Sequence, residues 1–233
     1  MKAVINSNAT IGDEALTVSH SRFNSAIAKL KDLAERQSYK KNQVLFNPGA
    51  IARGIYLIDS GKVKVSKFGI DGKEQILKIL TKGDAVGHEA LLYENRFNEY
   101  AEVVDDAIIY YVSRDDFNQA CRDDDGILIY FTKLLCKELN DIEERLVSAA
   151  YEPVRSRVAL ALIELSELYT CNEKGESVIT LCRGDLSRMA GTAKETTIRL
   201  LSEFKKEKLI ETEGAEIVII DLGGLKRSVD LYR

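Results

Sequence analysis

The stretch Cys182–Phe204, CRGDLSRMAGTAKETTIRLLSEF, constrains this chain more than any other. Its pattern predicts two short helices joined at Gly191, since glycine takes the backbone conformation that a tight turn requires. Three further lysines, Lys205, Lys206 and Lys208, follow. In the second helix, offsets of three and four residues set Glu195, Ile198 and Arg199 on one face, with Lys194 beside them. Thr197, Leu200, Leu201 and Phe204 fall on the opposite, apolar face. An acceptor, a methyl-bearing side chain and a forked donor on one exposed face suit the edges of base pairs in a major groove. The expectation is a helix-turn-helix that reads double-stranded DNA.

The chain has 233 residues, enough for one large or two modest domains, and a formal net charge of -4. Any nucleic-acid contact must therefore come from a local basic patch. Arg183, Arg188, Lys194, Arg199, Lys205, Lys206 and Lys208 face only Asp185, Glu195, Glu203 and Glu207, so the patch sits where the helix-turn-helix needs it. No window is apolar enough to span a bilayer, and the N-terminal MKAVINSNATIGDEALTVSH lacks the pattern of a signal peptide. Cys121, Cys136, Cys171 and Cys182 are far apart, without a CxxC pair. A cytoplasmic chain with reduced thiols and no membrane partner is expected. There is no Gly-rich phosphate loop, HxxxH pair or nucleophile motif, so an enzyme is not expected.

Residues 1–20 read as a loose tail, and Ser21–Glu35 as a short amphipathic helix through Phe23, Ile27 and Leu30. Over 38–113 the pattern turns to short strands: VLF, GIYLIDS, KVKVSKF, EQILKIL and AIIYYVS. Turn signals at Pro48-Gly49, Ser60-Gly61, Asp71-Gly72 and Gly83-Asp84 punctuate them, which suggests a small barrel or roll. SRDDF at Ser113 is a helix-capping sequence. A long helix is expected from about Asp125 to Ala150, with Leu128, Phe131, Leu135, Leu139, Ile142 and Leu146 forming a dimer seam; packing within one subunit is the alternative. Pro153 breaks this helix and suits the first turn of the next. Domains are expected over 21–124 (sensory roll), 125–150 (dimer helix) and 151–233 (winged helix-turn-helix), with Leu209–Asp221 as the wing hairpin.

Four pieces in this order resemble the Crp/Fnr family of bacterial transcription regulators: PGAIARGIYLIDSGKVKV, KGDAVGHEALLYENRFNEYAEVVDDAIIYYVSRDDF, the long helix leading to RSRVALALIEL, and the helix-turn-helix. The resemblance covers residues 21–225. It implies an α+β chain: an N-terminal cyclic-nucleotide-binding-type β-roll, a long dimerisation helix and a C-terminal winged helix-turn-helix. It also implies a homodimer on a palindromic site, with RNA polymerase as a partner.

By the same resemblance, Arg199 matches a guanine-reading arginine and Glu195 a glutamate that accepts from a cytosine amino group, implying a TGA-like half-site core. Lys194 stands where arginine is frequent and takes either a phosphate or a single guanine acceptor. Ile198 either touches a thymine methyl or packs locally. Arg183 and Thr192 match phosphate-contacting positions. Glu211, Glu213 and Glu216 make the wing acidic, so a structural wing is expected. In the roll, His88, Glu89 and Ala90 fall in the cassette that holds a cyclic nucleotide, with Glu89 matching the ribose-binding glutamate. The phosphate-binding arginine, however, is replaced by Glu99, and a carboxylate repels a phosphate. Ile142-Glu143 likewise replaces the hydroxyl residues expected against the adenine. Cyclic AMP is therefore not the expected effector; the alternative is a rearranged site served by Arg96. The chain lacks a cysteine cluster for iron–sulfur ligation, and His88, as the lone roll histidine, reads as structural rather than as a haem ligand. No metal site is expected, the effector stays unassigned, and Cys121 and Cys136 are either packing residues or redox-sensitive.

Overall fold

The computed structural model describes residues 27–169, 172 and 175–230; the expected tail over 1–20, Phe23 and Cys171 lie outside these. Description begins in a helix over 27–32 (α1), with Leu30 fully buried. The amphipathic helix ends sooner than its pattern suggests, because Glu35–Tyr39 is strand β1, paired antiparallel to β6 (Tyr100–Ser113). The remaining roll strands are β2 (Val44–Phe46), β3 (Gly54–Phe68), β4 (Glu74–Leu80) and β5 (Ala85–Val86). The sheet order is β1-β6-β3-β4, with β2 on β6 and β5 on β3.

GIYLIDS and KVKVSKF are not two strands, as the Ser60-Gly61 signal suggested, but the single strand β3. The ladder with β6 slips between Ile58 and Val63. Gly61 sits there at φ +84°, where a Cβ would come 2.5 Å from the Asp106 carbonyl oxygen. The glycine marks a bulge rather than a turn, and a bulge bends a strand without ending it. The bend lets the first half of β3 pair with β5 and the second half with β4.

The roll core has two parts. Ile58, Val63, Val65, Val103 and Ile109 fill one, with Phe46 stacked on Phe97 at 3.8 Å. Ile55, Leu57 and Val112 fill the other, together with helices that follow the roll. Helix α2 (His88–Leu92) begins after Gly87, which adopts the left-handed conformation, and α3 (Arg114–Asp123) is capped by the Ser113 hydroxyl. Helix α4 (Asp125–Tyr151) is capped by Asp124, whose side chain accepts from the Gly126 amide at 2.8 Å.

Two stripes run along α4. Leu128, Leu139, Ile142 and Leu146 are 46–70% exposed, and Leu135 is half-buried. Phe131 departs from the expected seam: it is fully buried in the roll core, edge-on to Phe117 at 5.1 Å. Its position borders both stripes, and a ring long enough to reach the roll takes the inward option. Glu152 is extended because Pro153 disfavours helix in the residue before it. Pro153 then caps α5 (Val154–Leu168).

Helices α6 (Arg183–Ala190) and α7 (Lys194–Lys206) flank Gly191, which has φ +60°. The wing strands β8 (Ile210–Glu213) and β9 (Glu216–Ile219) are joined by β7 (Val178–Ile179) in the order β7-β9-β8. Neither β7 nor the last helix, α8 (Leu222–Asp230), was expected from sequence; α8 buries Leu225 and Val229 in the core that α5 lines. That core also takes in Ile76, Ile79 and Val104 of the roll, so the two halves share one apolar seam.

Phe204 is fully buried in the shared core beneath the Arg155 guanidinium, which lies 4.5 Å from its ring centre. Phe204→Ala is expected to cost about 3–5 kcal/mol, read as a lower urea midpoint for the C-terminal half.

Candidate functional site

Gly191 closes α6 and sends α7 off with Thr197, Leu200, Leu201 and Phe204 buried. The opposite face is therefore exposed by packing: Lys194 and Glu195 are open, Ile198 is half exposed, and Arg199 is 66% exposed. Arg199 is braced by Glu203 at 2.8 Å one turn on, which holds its guanidinium along the helix surface. Glu203 and Glu207 also bind Arg155 of α5, so the far end of α7 is anchored to the helix beneath it. Ile198 packs into no core and stands at the edge of a shallow cleft shared with Arg183, Leu201, Ser202 and Lys205.

The remaining expected contact residues have other ties. Arg183 donates to the carbonyls of Ala215 at 2.8 Å and Glu216 at 3.2 Å, so its fork clamps the wing turn onto α6. Thr192 lies in the turn, and its amide donates to Ser187. Cys182 caps α6, its sulfur accepting from the Asp185 amide at 3.3 Å. The acidic wing stands beside this surface, with Glu211, Glu213 and Glu216 exposed.

The first helix of the motif is docked on the roll. Lys64, only 7% exposed, places its ammonium 3.3 Å from Glu102 and 3.4 Å from Asp185 of α6. Burial opposes that charge, yet Asp185, Glu74 and Glu102 hold its pKa above the ordinary value. Arg188 reaches Glu74 at 3.1 Å, and the Gln75 side chain donates to the Met189 carbonyl at 3.2 Å. Strands β3 and β4 thus hold α6 against the roll.

In the roll, the structure brings Glu89, Ala90, Arg96 and Glu99 around a cavity of about 170 Å3, also bounded by Lys67 and Phe97. Arg96 does not take the place of a phosphate-binding arginine: its guanidinium donates to the Gly49 carbonyl at 2.7 Å. Burial, and then the nearby charge of Glu89, push the Glu99 carboxyl upward. His88 points away from this cavity, into a fully buried position against Phe131.

Two residues of this region escaped the sequence reading. Lys78 of β4 lies 2.8 Å from Glu89 and 2.5 Å from Glu138 of α4. Glu138 has one signal in the sequence: with Ile127, Phe131 and Leu134 it completes a four-three-four spacing on the inward face of α4. A carboxylate ending an apolar stripe needs a partner. Burial alone would raise its pKa, but contacts to His88 and Lys78 lower it overall. Lys78 is raised in turn, its three acidic neighbours outweighing burial. Cys121 is half-buried, and burial raises its thiol pKa, which disfavours the reactive thiolate.

A β-roll with a helical cassette, a long helix with an exposed apolar stripe and a winged helix-turn-helix define a class of DNA-binding transcription regulator. The comparisons agree. A cyclic nucleotide-binding domain matches residues 36–124, and a Crp-like helix-turn-helix domain matches 156–228. The chain belongs to the Crp/Fnr family of transcription regulators. An anaerobic regulatory protein of Haemophilus influenzae is 28% identical over 84% of this chain and 77% of its own length. A CRP-like cAMP-activated global transcriptional regulator of Mycobacterium tuberculosis is 25% identical over 87% and 92%. A CRP/FNR-family regulator structure from Thermus thermophilus superposes with a TM-score of 0.74 at 24% identity, over 85% of this chain and all of that one. Among the described residues, no helix is long and apolar enough to cross a membrane.

The lowered pKa of Glu138 carries a sign. Its pairing contributes full stability above the ordinary carboxylate pKa of ~4.3 and loses it as pH falls below that value. The urea midpoint is expected to drop between pH 6 and pH 3.5, with a shallower drop for Glu138→Gln.

Proposed function

We propose that this chain acts in the cytoplasm as a homodimer that binds a palindromic DNA site and regulates transcription in contact with RNA polymerase. The observation that carries this reading is the α7 face, where Glu195, Ile198 and Arg199 are exposed together while its apolar side is locked into the domain core. In a dimer joined along Leu128, Leu135, Leu139, Ile142 and Leu146 of α4, two such faces would enter successive major grooves about 34–36 Å apart. Arg199 would take a guanine, with Glu203 holding its fork until DNA arrives, and Glu195 a cytosine amino group. Lys194 and Thr192 would support the backbone. Arg183, tied to the wing carbonyls, would act chiefly by fixing the wing and α6 together. The roll would be the sensory domain, its state passed to α6 through β4.

Cyclic AMP is not the effector in this reading. Its phosphate would meet Glu89 and Glu99, while Arg96 is already spent on the Gly49 carbonyl. That arrangement supports the departure from the cAMP-activated relatives at the level of charge.

Selection of bound DNA from a random pool tests the reading and should return an inverted repeat. Arg199→Ala should then weaken binding by about 1–3 kcal/mol and relax preference at one base pair in each half-site. Unchanged affinity and preference would remove Arg199 from the interface. In calorimetry, cyclic AMP at millimolar concentration should release no binding heat; saturable heat would restore the rearranged-site alternative.

A further inference from the structure

Beside the sensory cavity, four ionisable side chains from three elements converge: Lys78 of β4, His88 and Glu89 of α2, and Glu138 of α4. His88 is fully buried, yet neither of its ring nitrogens makes a hydrogen bond. Nδ1 stands 3.5 Å from a Glu89 oxygen and Nε2 3.3 Å from a Glu138 oxygen. An unsatisfied buried imidazole aimed at carboxylates calls for a partner that it can bind through a lone pair. Ligand atoms of His88, Glu89 and Glu138 all lie within 4.8 Å of one another.

The charges point the same way. Glu89, Glu138 and Glu99 act on the half-buried ammonium of Lys78. Lys67, which also acts on Glu99, is exposed, and Arg96 is held by a carbonyl. Three carboxylates against this one close ammonium favour further positive charge.

We propose that His88, Glu89 and Glu138 form a binding site for a divalent transition-metal ion, which serves as the effector. One imidazole nitrogen and two carboxylates are a donor set for Zn2+, Mn2+ or Fe2+. Bonds of about 2.1 Å in a tetrahedral arrangement set ligand atoms roughly 3.4 Å apart, so the three side chains close by about an ångström around the ion. Lys78 now occupies the space between Glu89 and Glu138. On metal entry its ammonium leaves them and turns to Glu99. The exchange balances: the ion offsets Glu89 and Glu138, and Lys78 offsets Glu99. His88 binds through a ring-nitrogen lone pair, and a proton held on that nitrogen leaves to solvent as the metal enters.

The ion would fasten α2 to α4, and Lys78 would carry the change into β4. That strand also bears Glu74 and Gln75, which hold α6. Metal occupancy is thereby coupled to the placement of the DNA-reading head. This last step rests on the regulator reading; the metal site itself does not.

The test uses the full-length protein, treated with chelator and titrated with ZnCl2 or MnCl2 by calorimetry, with bound metal counted by mass spectrometry. One ion per chain is expected. His88→Gln and Glu138→Gln should each weaken binding roughly tenfold or more. Lys78→Met, which removes the competing cation, should tighten it, a direction that loss of folding cannot produce. No uptake of either ion well above the protein concentration would overturn the proposal, and so would variants that bind like the parent chain. DNA affinity is measured separately with and without the metal. Equal affinities while metal still binds at His88 would overturn the effector role, whereas absence of DNA binding in both forms counts against the regulator reading alone.

Discussion

Strand β4 is the element on which the rest of the structure depends. Ile76 and Ile79 lie in the same core as Leu186, Leu200 and Phe204 of the winged helix. The same strand presents Glu74 and Gln75 to α6 and Lys78 to α2 and α4. Apolar burial supplies the adhesion of this seam, and the buried charges supply its register, since each ion tolerates only a partner placed within a few ångströms. Lys78 thus lies on the same strand that holds α6.

The roll matches a cyclic nucleotide-binding domain, and carboxylates line its cavity. A cyclic phosphate needs a cation and free amides; here Glu99 and Glu89 face the cavity and the nearest arginine is committed to a backbone carbonyl. Two half-buried carboxylates drawn onto one lysine, beside an imidazole with no hydrogen bond, make the site one that favours positive charge. The fold is indifferent to that arrangement because much of the roll core, including Ile58, Val63, Val103 and Ile109, does not line the cavity.

Much of the architecture was legible because it rests on local chemistry. The period of α7, the glycine at its start, the Ser113 cap and Pro153 each act within a turn or two of chain, so residue types alone announce them. The face of α7 followed directly, and so did the stripe on α4. What misled was chemistry with two local meanings. Ser60-Gly61 signals a turn as readily as a bulge, and only the partner strand β6 decides between them. Phe131 borders both the seam and the inward face, and only the depth of the roll core draws it inward. Arg183 was legible as a basic residue at a helix start, but the wing carbonyls that engage it are more than thirty residues away.

By itself, the sequence determined the class of this protein: a roll, a long helix and a reading head whose exposed side chains suit DNA. It also set a glutamate, Glu99, where the family resemblance implies a phosphate-binding arginine. Only the tertiary structure decided which charged groups gather beside it. Lys78, His88 and Glu138 are separated by up to sixty residues, and no local pattern joins a strand lysine to a helix glutamate. Folding alone brings them within ion-pair distance, partly shielded from water, where each charge acts more strongly than in solvent.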